Sequence, residues 1–84
     1  MKVALVQLAL DDKRSKQETI DYALRMMDQC KGADLVILPE LWNIGFLAYD
    51  RYWEESEPLD GGTASAIAAK AREMGSYVLG GSFV

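Results

Sequence analysis

The apolar run Leu35-Val36-Ile37-Leu38 ends abruptly in Pro39-Glu40, and this junction constrains the fold more than any other feature of the chain. An unbroken apolar run with β-branched residues suits a parallel strand buried on both faces, whereas a half-exposed strand would alternate. Pro39 lacks an N–H and holds Leu38 extended, so the strand is expected to end there, with Glu40 at its carboxyl end. Val3 to Val6 is a similar run, and Tyr77 to Leu79 begins another that Gly80, Gly81 and Ser82 interrupt.

Helical patterns separate these runs. Ser15 with Glu18 three residues on is a capping-box signature, and Ile20, Leu24 and Met27 then share one helical face, with a stop expected at Gly32. Asp11 to Arg14 is read as the strand-to-helix loop and Asp34 as part of the tight turn into the second strand. Thr63 is a candidate N-cap for a second helix, whose core face is Ile67, Ala71 and Met74 and which closes at Gly75. Between Leu41 and Gly62 periodicity vanishes. Trp42, Phe46, Tyr49, Tyr52 and Trp53 are interspersed with acidic residues, and a long ordered loop is expected, solvated from Asp50 to Asp60 and pinned by its rings. Glu57 is read as a solvated loop residue. Strands alternating with helices predict an α/β fold with a parallel sheet and right-handed crossovers, in the order β-α-β-α-β.

A chain of 84 residues is below the usual domain size of about 100 to 150, so it holds one small domain at most. Half of its residues are hydrophobic, which excludes disorder. A chain this short buries only about 60 to 65% of its unfolded surface, so the apolar content exceeds what it can hide and a missing remainder is expected. The net charge of -4 is the wrong sign for tracking a phosphate backbone, so no nucleic-acid partner is expected. With no His and a single Cys, these residues cannot build a Ser-His-Asp triad, a Cys/His zinc site or an internal disulfide. Lys2 and the apolar residues after it do not make a signal peptide, because Gln7 interrupts the run and no small-residue cleavage site follows. No stretch approaches the roughly 18 apolar residues of a membrane helix. A cytoplasmic protein without a membrane partner is expected.

In open α/β sheets ligands bind beyond the carboxyl ends of the strands, and Glu40 is the acidic residue that an apolar strand delivers there. Beside Trp42 and Phe46 its carboxylate is expected to be partly desolvated, which suits a general base; the alternative is a strand-end Glu that accepts N–H bonds. Cys30 continues the core stripe near a helix C-terminus, where the dipole disfavours a thiolate, and reads as structural. Gly80-Gly81-Ser82 is not a nucleotide-binding fingerprint. It marks either a backbone approach to a ligand or close strand packing.

These segments, in this order, resemble the start of a nitrilase-superfamily carbon-nitrogen hydrolase. The likeness lies in the opening strand Val3 to Gln7, Gly32-Ala33-Asp34, Leu35 to Glu40 with Leu41-Trp42 and an Asn43-x-Gly45-aromatic, Leu59 to Thr63, and Leu79-Gly80-Gly81-Ser82. The resemblance implies an α-β-β-α sandwich in which a Glu, a Lys and a Cys hydrolyse amides or nitriles through a thioester-type acyl-enzyme. Glu40 matches the family's general base, and Phe46 matches an aromatic position that often borders the substrate pocket. The family's Lys and Cys lie downstream of the third strand and have no match here, so neither Lys31 nor Cys30 takes their roles. Residues 1–84 are thus expected to be the incomplete amino-terminal part of a single such domain, inactive alone. The substrate expected for the whole protein is a small non-peptide amide or nitrile, with no cofactor, no metal, and assembly into a homo-oligomer. A rival reading is a non-catalytic α/β module that binds a small ligand or partner.

Overall fold

The computed structural model describes residues 1–9, 11, 13–45 and 48–84. Strands β1 (Val3–Leu5), β2 (Leu35–Ile37) and β3 (Tyr77–Leu79) form one parallel sheet in the order β1-β2-β3, with Val3, Leu35 and Tyr77 in register. Helices α1 (Lys16–Asp28) and α3 (Gly62–Met74) make the two crossovers. Because the strands are laid down in one direction, connections of the same hand put both helices on the same face. There α1 and α3 touch, joined by the Lys70–Asp28 ion pair at 2.7 Å.

The local signals explain most element ends. The Ser15 hydroxyl accepts the Glu18 N–H at 3.1 Å, and the Glu18 carboxylate accepts the Ser15 N–H at 2.9 Å, so the capping box is complete. Gly75 adopts φ +66° and lets Ser76 N–H reach back to the Ala71 carbonyl at 3.2 Å, a Schellman ending that a side chain would strain. Helix α1 stops at Asp28, ahead of the expected Gly32. The chain leaves it through tight turns, Cys30 N–H bonding Met27 O at 2.8 Å and Ala33 N–H bonding Cys30 O at 3.0 Å, and Gly32 supplies a left-handed φ of +93° in that exit. Asp34 then joins the starts of all three strands. Its N–H and carboxylate bond the Lys2 carbonyl and N–H, and its carbonyl accepts from Tyr77 N–H at 3.0 Å.

Other expectations change as well. Thr63 is not the N-cap of α3; Gly61 holds that place and Thr63 lies inside the first turn, fully buried. The segment after β2 is also more ordered than a loop, with a 3-10 turn at Tyr49–Arg51 running into a single helical turn, α2 (Tyr52–Glu55). One turn is too short to show a 3.6-residue apolar repeat, so periodicity does not register it.

The core lies between the sheet and its helices, where Val6, Val36 and Leu38 pack with Ile20, Ala23, Met27 and Ile67. Burial of the strands on both faces, the expectation from their unbroken apolar runs, is met on this face only. The alternate residues point the other way, and Leu5 (76% exposed), Tyr77 (82%) and Leu79 (57%) leave an apolar sheet surface uncovered. An open face and open strand edges favour association. The isolated 84-residue chain is therefore expected to self-associate or to unfold without a sharp transition; sedimentation combined with thermal unfolding checks this, and a cooperative monomer would contradict it.

Candidate active site

Central strand β2 continues one residue past its regular pairing, with Leu38 N–H donating to Leu79 O at 2.9 Å, and then meets Pro39. The following turn is fastened to the segment after β3. Leu41 N–H donates to the Ser82 hydroxyl at 3.1 Å, Trp42 N–H to Ser82 O at 3.3 Å, and the Trp42 indole N–H to Gly80 O at 2.9 Å. Leu41 takes φ +47°, a left-handed conformation that costs a non-glycine residue about 1 kcal/mol or more and that these bonds hold.

Gly81 makes the fastening possible. It has φ +68°, and a Cβ there would lie 1.9 Å from the Pro39 carbonyl oxygen, so any side chain would push the two segments apart. The structure shows close packing at Gly81, one of the two readings of Gly80-Gly81-Ser82.

Glu40 projects from this fastened turn and is exposed. Trp42 turns the other way, 3% exposed within the core, with its ring edge-to-face on Phe83 at 6.3 Å. Trp42 therefore does not desolvate Glu40 as its sequence position suggested, and Phe46 lies outside the described residues. The Tyr52 phenol, whose hydroxyl donates to Gly45 O at 3.4 Å, is pushed above its ordinary pKa, first by burial and then by the charges of Tyr49 and Glu40.

Cys30 lies at the exit of α1, by the sheet edge where β2 begins, opposite the edge where Glu40 leaves. It is partly buried against the core, its thiol donating to Met26 O at 3.6 Å. Among the described residues no group of His, Cys, Asp or Glu side chains is arranged to hold a metal ion, and no helix is long and apolar enough to cross a membrane.

Glu57, read from sequence as a solvated loop residue, is instead a partly buried anchor, its side chain 9% exposed. One carboxylate oxygen accepts the Thr63 N–H at 2.6 Å, and the other accepts the Thr63 hydroxyl at 2.8 Å and the Lys16 ammonium at 2.6 Å. It thereby does the capping work expected of Thr63, satisfying an N–H of the first α3 turn with a full negative charge at the helix N-terminus. Lys16 also donates to Glu55 O at 2.8 Å, so the first turn of α1 is tied to this loop. No capping spacing links Glu57 to α3, and its partner Lys16 is 41 residues away, so pattern reading had no local signal to find it.

Thr63 passes the network on. Its hydroxyl oxygen accepts from the Asn43 side-chain amide at 3.3 Å, and Asn43 is fully buried three positions beyond Glu40. Arg51 reaches the same stretch, its guanidinium donating to Ile44 O at 3.5 Å and Arg14 O at 3.4 Å while pairing with Glu55. The Glu40–Gly45 segment is thus gripped by residues 80–82 on one side and by residues 51–63 on the other.

An α/β unit with a carboxylate fastened at the carboxyl end of its central parallel strand is the class of site these observations define. The chain belongs to the carbon-nitrogen hydrolase family, whose profile matches residues 2–84. It is similar to a 2-oxoglutaramate amidase of Paenarthrobacter nicotinovorans, with 27% identity over 84 residues, covering 100% of this chain and 29% of that protein. The chain therefore spans less than a third of that relative's length. No solved structure matches it.

The charge state of Glu57 gives a stability test. Burial pushes its carboxyl upward, but the bonds from Lys16 and from the N–H and hydroxyl of Thr63 outweigh this and hold it below its ordinary value of 4.5. For a carboxyl depressed on folding, the stabilisation is present above the unfolded value and is lost as pH falls through the folded one. Glu57→Gln is expected to cost about 2 kcal/mol at pH 7, the worth of a charged hydrogen bond. That gap should narrow as the pH drops below 4.5. Denaturant unfolding of the full-length protein and of its Glu57→Gln variant across this range checks the prediction, and a pH-independent gap would contradict it.

Proposed function

We propose that these residues are the amino-terminal part of a carbon-nitrogen hydrolase domain that cleaves a small non-peptide amide, with Glu40 as the general base of a Glu-Lys-Cys triad. The observation that carries this reading is the placement of Glu40, a carboxylate at the carboxyl end of the central parallel strand, on a turn fixed before substrate arrives. The name of the amidase relative supports an amide over a nitrile.

A Cys attacks as its thiolate, so a base must take the thiol proton, and an ammonium group can stabilise the oxyanion of the tetrahedral intermediate. The same carboxylate then activates the water that hydrolyses the acyl-enzyme. The exposed side chain of Glu40 has room to approach a nucleophile carried by another segment, and the solvent around it is displaced when that segment covers the edge. The Lys and Cys are not residues of this chain in our reading, and Phe46 is proposed to border the substrate.

In the full-length protein, Glu40→Gln is expected to leave the fold intact and to slow single-turnover acyl-enzyme formation by about 10² to 10⁴. Replacing the exposed Glu54 of α2 should leave that rate unchanged. Near-normal acylation by the Glu40 variant would return this residue to the role of a strand-end hydrogen-bond acceptor.

A further inference from the structure

The polar string under the Glu40 turn has a direction. An ionised carboxylate only accepts, so the Thr63 hydroxyl proton is committed to Glu57 at 2.8 Å. The free lone pairs of that oxygen then face Asn43, whose amide must present its NH2 group there, at 3.3 Å. Turning the amide over would set Asn43 Oδ1 against an oxygen with no hydrogen left to give. The charge on Glu57, held by Lys16, thus sets the orientation of a fully buried side chain in the turn that carries Glu40. Asn43 Oδ1 is buried with no hydrogen-bond partner among the described residues.

We propose that Thr63 is a positioning residue for Glu40, acting through Asn43 to hold the turn after β2 in the geometry that proton transfer needs. Thr63 has this role only if Glu40 is the base, as proposed above. Its backbone N–H caps α3 on Glu57, a job any residue at this position performs, whereas the hydroxyl is what links Glu57 to Asn43. The two jobs can therefore be separated by substitution. Thr63→Val keeps the cap and the volume and removes the link, whereas Thr63→Ser keeps the cap and the link.

The test is single-turnover acylation in the full-length protein, scaled to titrated active sites so that loss of folded enzyme does not count, with substrate affinity measured alongside. Thr63→Val is expected to lower the acylation rate by about 10- to 100-fold, the scale of a small misplacement of a reacting group, with substrate affinity unchanged. Thr63→Ser should recover most of the rate. Should Thr63→Val not fold, Thr63→Ala removes the same hydroxyl without a steric intrusion and carries the same expectation. The double variant Glu40→Gln/Thr63→Val should be no slower than Glu40→Gln alone, because a residue that acts through another has nothing to add once that other is gone. Normal acylation by Thr63→Val, with Glu40→Gln slow, overturns the role of Thr63 and leaves that of Glu40 standing. A double variant slower than Glu40→Gln places the effect of Thr63 elsewhere and overturns it too. Normal acylation by Glu40→Gln removes both roles.

Discussion

The contact between Gly81 and the Pro39 carbonyl is the constraint on which the site depends. Two backbones meet at a distance that excludes even a Cβ, and the approach brings Gly80 O, Ser82 O and the Ser82 hydroxyl within reach of Leu41 and Trp42. Each of these bonds is worth only about 1 kcal/mol net. Together they hold Leu41 in a left-handed conformation it would otherwise avoid, and they turn the chain so that Trp42 enters the core while Glu40 leaves it. Such an arrangement suits the base proposed for Glu40, because neighbouring backbone fixes its position in advance.

The second grip is polar. Lys16, Glu57, Thr63 and Asn43 link the first turn of α1, the loop after α2, the first turn of α3 and the turn after β2. A buried carboxylate is costly unless its oxygens are satisfied, and Glu57 meets that condition with one ammonium, one hydroxyl and one backbone N–H. The helical layer and the site loop are therefore not independent, since a change at Glu57 is felt at the cap of α3 and at the turn after Glu40. On the opposite face of the sheet the apolar residues Leu5, Tyr77 and Leu79 lie open.

Features that depend on a few neighbouring residues were legible in the sequence. The Ser15–Glu18 capping box, the left-handed exit of α3 at Gly75 and the end of β2 at Pro39 are all local, and the structure shows each one. The parallel sheet followed from the alternation of apolar runs with helical patterns. Signals that depend on distant partners were not legible. Thr63 looked like a cap because Thr is a good cap, yet the capping oxygen comes from Glu57, whose charge is paired with Lys16 on a distant helix. Trp42 looked like a neighbour of Glu40 because it is close in sequence; a turn built from the distant Gly80–Ser82 segment sends the two side chains apart. Burial on both sheet faces was inferred from the unbroken apolar runs, which cannot say what covers each face.

Delivery of the Glu40 carboxylate to a nucleophile by the turn between Pro39 and Trp42 is the proposal on which the assigned chemistry rests. It is tested most directly by a crystal structure of the full-length protein in which a slowly turned-over amide is held as its acyl-enzyme. The account predicts a Glu40 oxygen within hydrogen-bonding reach, directly or through one water, of the sulfur and carbonyl carbon of the thioester, with the Gly81–Pro39 contact intact. A thioester formed elsewhere, with Glu40 still turned to solvent, would contradict it.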